Sequence, residues 1–150
     1  MATYPPQRQG HGYRGGHDDK PAHKPLDTAK IQLKDIKADL FDVIARETAE
    51  TIADNRNSNK PTQLRRFYEE IVMWESKASQ HPDKFDEYLP FIRMINAKAA
   101  YALGRKLVDD NYVKLINDGL QQVDSLKTLR HFKLFMEAFM GFYKEKRPKD

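Results

Sequence analysis

The sequence predicts an all-α fold: a compact bundle of about five antiparallel helices behind a disordered N-terminal tail. Three observations carry that prediction. From Leu26 onward, apolar residues recur at helical rather than alternating spacing. The breaks between these runs hold capping residues and prolines where helix ends call for them. No segment shows the sustained alternation or the tight turn of a hairpin. With 150 residues the chain makes one domain, long enough to bury a core without staples. The expected division is a tail over 1–26 and a helical domain over 27–147.

The tail is rich in Pro, Gly, His, Gln and Arg and has no aliphatic run before Leu26, so it lacks the apolar surface to offset the entropy of ordering. His11, His17 and His23 recur in it without a scaffold to fix them around a metal. The first helix is expected over 27–55, with Asp27 or Thr28 as N-cap and Leu33, Ile36, Leu40, Val43 and Ile44 on one face. After the polar break "NRNSNKP", Pro61 suits the first turn of a second helix, which lines up Leu64, Phe67, Tyr68, Ile71, Trp74 and Ala78. A long third helix follows the turn "QHPD". Pro90 inside it predicts a kink or a short preceding turn. Asp109 and Asp110 cap a fourth helix, and Ser125 starts a fifth that ends before Pro148.

Bulk composition excludes more than it assigns. There is no cysteine, which removes disulfides, thiol nucleophiles and cysteine-ligated zinc. No run approaches the roughly 18 apolar residues that span a bilayer, and the N-terminal stretch has no apolar core of a secretory signal. A soluble, cytoplasmic chain without membrane contact is the expectation. Half of the net charge of +4 lies in the first 25 residues, so the remaining chain binds a polyanion only if its cations are segregated in space.

Catalytic chemistry is hard to place. The helical region offers only His81, in a turn, and His131, beside Phe132 and expected to be a surface or satisfied core histidine. Metal boxes and glycine-rich phosphate loops are absent. Glu137 in "FMEAFM" lies between apolar residues, which predicts partial burial and an ion pair with Lys133 one turn earlier. No enzymatic activity, cofactor or metal is expected. An active site around His131 and Glu137 is the enzyme reading that an internal polar pocket would be needed to support.

The basic residues are more informative. Arg65 and Arg66 stand four residues before Glu69 and Glu70, in the order that opposes the helix dipole, and Lys60 adds to this positive end. In "NAKAAYALGRK", Lys98, Tyr101 and Arg105 fall at i, i+3 and i+7 and share one stripe. The small residues Ala97, Ala99, Ala100, Ala102 and Gly104 predict close packing beside that stripe. A basic–aromatic–basic line suits a phosphate backbone, with Tyr101 able to stack or to hydrogen-bond a ribose. Arg130 and Lys133 on the last helix extend the basic surface. The alternative is a helical protein–protein adaptor with solvated charges and the aromatic last helix as its binding surface.

Three stretches, "QLRRFYEEI", "FDEYLPFIRMINAKAAYALGRK" and "LRHFKLFMEAFMGFYK", occur in an order and spacing that resemble the small subunit of type III-A CRISPR interference complexes, the Csm complex. The similar region runs from about Lys60 to Lys146. The resemblance implies a non-catalytic helical bundle of antiviral defence. Its partners would be guide RNA and target RNA, the backbone subunits, a palm-domain large subunit and other copies of itself. Target cleavage would belong to the backbone subunits. Carried onto this chain, the family's basic surface falls on Lys60, Arg65, Arg66, Lys98, Arg105, Lys106 and Arg130.

Overall fold

A computed structural model describes residues 23–149, and among them no strand forms. The tail expected over 1–26 lies mostly outside these residues, and with it His11 and His17. Six α-helical segments follow one another: α1 (Ala45–Ala53), α2 (Pro61–Gln80), α3 (Phe85–Arg93), α4 (Ile95–Gly104), α5 (Asp110–Gln121) and α6 (Leu126–Lys146). A single π-helical turn, Leu40–Ile44, leads into α1, and a 3₁₀ turn, Pro82–Lys84, leads into α3.

Helix α6 is the axis. Its start is fixed by a capping box, in which the Ser125 hydroxyl accepts from the Thr128 N–H and the Thr128 hydroxyl accepts from the Ser125 N–H. Phe132, Phe135, Met136 and Phe139 are fully buried along it, and α1 and α2 pack on it most extensively. The aromatic face offered to the adaptor reading is thus largely core. Helix α5 begins at Asp109, whose carboxylate accepts from the Tyr112 N–H at 3.0 Å, and it packs on α4. The expected long third helix is α3 plus α4, interrupted at Met94, four residues after Pro90. Pro90 has no N–H to return to the preceding turn.

The expected first helix requires correction. Residues 27–39 form no helix but an irregular arm laid across α5 and α6, and only its last part enters the helical turns. Leu26, Ile31 and Leu33 are buried, whereas Ile36 and Val43, placed by periodicity on the same face, are exposed. Side chains of α5 and its C-terminal loop satisfy the arm's backbone in place of helical bonds. Asn111 accepts from the Leu26 N–H at 2.9 Å and donates to the Lys24 carbonyl. Gln122 accepts from the Leu33 N–H at 2.8 Å and donates to the Ile31 carbonyl. Asp118 accepts from the Thr28 hydroxyl and from Lys114. Partial burial works against the charge of Asp118, but these two donors outweigh it and hold its carboxyl below the ordinary carboxylate range.

Candidate nucleic-acid interface

Helices α2 and α3–α4 run antiparallel, and the pairs across them follow reversed sequence order. Arg66 shares a cleft with Tyr101 and Arg105, Glu70 pairs with Lys98, and Trp74 stacks with Phe91. The cleft measures about 520 Å³ and has an apolar floor of Phe67, Ala102 and Leu107. Arg66, Lys98, Tyr101 and Arg105, four of the residues expected to bind, line it together. Tyr101 is 66% exposed, and the Arg105 guanidinium lies 5.9 Å from its ring centroid. The Lys98 ammonium is engaged by the Glu70 carboxylate, a partner that sequence spacing within one helix does not reveal.

The rim of the cleft is set by how α4 ends. The Leu107 N–H reaches the Ala102 carbonyl and the Lys106 N–H reaches the Leu103 carbonyl, both at 2.9 Å. This is a Schellman termination with Lys106 in the left-handed position, at φ 61°. A lysine there costs about 1 kcal/mol that a glycine would not. Lys106→Gly should therefore raise the thermal midpoint while weakening polyanion binding. An unchanged or lowered midpoint would show that the lysine's own contacts outweigh its backbone strain.

The close packing expected along the small-residue run is present on only one side. Ala99 and Ala102 are buried, but Ala97, Ala100 and Gly104 are exposed, and a methyl added at Gly104 would meet nothing within 4 Å. The tight approach lies at Gly119 instead, where an added methyl would lie 2.3 Å from the Phe132 ring.

The other expected residues stand elsewhere. Lys60 is the N-cap of α2, and its N–H bonds to the Leu107 carbonyl at 3.1 Å, which brings Lys60 to the same end of the bundle as Lys106. Arg65 turns into a second groove of about 480 Å³ between α2 and α6. Arg130 donates to Glu75 at 3.2 Å and to Ser79 at 3.0 Å, tying α6 to the C-terminal half of α2. Glu137 is exposed rather than partly buried, and its partner is the Tyr68 hydroxyl, not Lys133. Burial, and then the Glu137 charge, push the Tyr68 phenol above its ordinary range. His131 is half-buried and donates from Nδ1 to the Leu33 carbonyl at 2.6 Å, a structural role on the arm.

One buried charge was not singled out by sequence. Arg147 closes the far end of α6 by donating to the carbonyls of Ser58 and Asn59, at 2.7 Å and 3.1 Å, and to the Tyr143 hydroxyl at 2.8 Å. Among the described residues, no group of three His, Cys, Asp or Glu side chains is arranged to hold a metal, and no helix is long and apolar enough to cross a membrane. The arrangement of the α2–α4 cleft suits an extended anion lying over an apolar floor. Comparison with known proteins matches residues 35–149 to the family described as Csm2 Type III-A. No curated protein and no solved structure matches the chain.

Proposed function

Because the chain belongs to the Csm2 type III-A family, the small subunit of the type III-A CRISPR complex, we propose that its α2–α4 cleft tracks the sugar-phosphate backbone along the guide RNA and target RNA. The observation that carries this reading is the convergence of Arg66 from α2 with Lys98 and Tyr101 from α4 and Arg105 at its C-terminal cap in one cleft. Phosphate contacts position a strand without reading it, so sequence is left to base pairing between guide and target. Lys60 and Lys106 continue the track past the end of α4, while Arg65 and Arg130 are peripheral to it. Glu70 lies inside the cleft and offsets part of its charge, so each subunit contributes modestly and several copies along one RNA add their contributions. In this reading the subunit is non-catalytic and cytoplasmic, and it serves antiviral defence beside the backbone subunits, the palm-domain large subunit and further copies of itself.

The test is Lys98→Ala combined with Arg105→Ala, both exposed, the first inside α4 where alanine favours the helix and the second just past its end. The double variant should fold normally and weaken RNA association equally for unrelated sequences. Its salt dependence should become shallower by roughly 1.4 in log K per log salt, the share of two phosphates on a single strand. Binding by the assembled complex with unchanged affinity and slope would remove this role from the cleft. An adaptor would show no salt slope to begin with.

A further inference from the structure

The stripe that carries Lys98, Tyr101 and Arg105 does not stop at Lys98. It runs back along α4 and α3 through Met94 to Phe91, and these two are 56% and 57% exposed. Phe91 is not a stray surface phenylalanine. One face of its ring lies nearly parallel to Trp74, with 6.0 Å between centroids and 14° between planes. Trp74 is in turn held by Tyr88, at 5.8 Å, and by the Lys77 ammonium, 5.3 Å from the indole ring. The ring is thus braced from behind and open in front, and it falls in the same helical stripe as Lys98 and Tyr101.

We propose that Phe91, backed by Trp74, is a stacking platform for an unpaired base, so that beside the tracked backbone the protein recognises RNA with an unpaired base rather than an uninterrupted duplex. The proposal rests on the backbone-tracking reading above and adds what the groove recognises. Every base has a π-face, so stacking on an aromatic ring holds a strand without choosing its sequence. Phe91 and Tyr101 are ten residues apart, about 15 Å along a helix. Lys98 lies between them for the intervening phosphates. A base held inside a duplex cannot reach such a ring, because its faces are already covered by its neighbours in the stack. An apolar protein partner would also suit Phe91 and Met94. Arg66, Lys98 and Arg105 in the cleft and Lys77 beside Trp74 favour a polyanion, although Glu70 lines the cleft and Asp86 and Glu87 stand on the same short helix as Phe91.

The full chain carries its own reporter, since Trp74 is its one tryptophan. At low salt, an oligouridylate strand should quench Trp74 emission, whereas an abasic ribose-phosphate strand of equal length should not. Phe91→Ala should weaken binding of the oligouridylate roughly 5- to 150-fold, the range expected for losing one stacked base. It should leave the salt slope and the affinity for a duplex of the same length unchanged, and Phe91→Tyr should restore binding. Equal binding of the base-bearing and abasic strands, or no effect of Phe91→Ala, would overturn the proposal. So would a Phe91→Ala chain whose RNA affinity is intact but whose self-association in sedimentation is lost, because a second copy would then cover this face. The backbone-tracking reading fails separately, through the Lys98 and Arg105 double variant.

Discussion

Replacing Phe139 with alanine should lower the free energy of unfolding by about 3–5 kcal/mol, the range for deleting a fully buried aromatic ring. Phe139 has no exposed surface, and it stands in a chain of rings that joins three helices. Phe67 of α2 meets Tyr112 of α5 edge-on at 5.6 Å, Tyr112 meets Phe139 at 6.3 Å, and Phe139 stacks on Tyr143 at 5.5 Å. Removing the Phe139 ring leaves a cavity bounded by buried Tyr112 and Tyr143, neither of which can move far to fill it. Urea unfolding followed by circular dichroism measures the loss. A change near zero, together with failure to assemble, would mean that α6 meets another subunit there and that the bundle is looser than described.

Arg147→Met should cost about 1.5–3 kcal/mol, as expected when hydrogen bonds from a charged donor are lost. The side chain is only 5% exposed, and its Nη1 holds two consecutive carbonyls, of Ser58 and Asn59. Asn59 is itself buried in the left-handed region at φ 55°, accepting from the Asp109 N–H and donating to the Ile52 carbonyl. Methionine fills the volume but gives the carbonyls no donor. Lysine keeps the charge but not the planar fork. Hydrogen exchange across residues 54–60 should rise in the methionine variant together with the drop in stability. Unchanged exchange there would show that the bend is held by Asn59 and by the Tyr143 hydroxyl, which donates to the Asn59 carbonyl, without help from Arg147.

What the sequence revealed followed from where the information lies. Helices α2, α5 and α6 were legible because their signals are local: Pro61 in a first turn, Asp109 and Ser125 as caps, and apolar residues repeating within one helix. The arm was not. Leu33, Ile36, Leu40 and Val43 mimic a helical stripe, and nothing local reveals that Asn111, Gln122 and His131 satisfy that backbone instead. The stripe of Lys98, Tyr101 and Arg105 was visible because one helix carries it. That Arg66 faces it while Arg65, one residue earlier, faces another groove depends on how α2 is rotated against its neighbours. Sequence periodicity placed Trp74 in a core stripe, whereas its stacking on Phe91 is set by the antiparallel run of two helices.

The arm also fixes an order of events in the life of the chain. Its hooks are distant: Asn111 lies 85 residues from Leu26, Gln122 lies 89 from Leu33, and His131 lies 98 from Leu33. During synthesis the arm leaves the ribosome before any of them exists, so it waits undocked until α5 and the start of α6 have emerged. Contacts of such span form late in folding, after the local helical pairs have reduced the entropy of closing the intervening loop. Their stabilisation is therefore felt mainly as slower unfolding, leaving the speed of folding to the helices. Made before the helices it rests on, the arm is fastened after them.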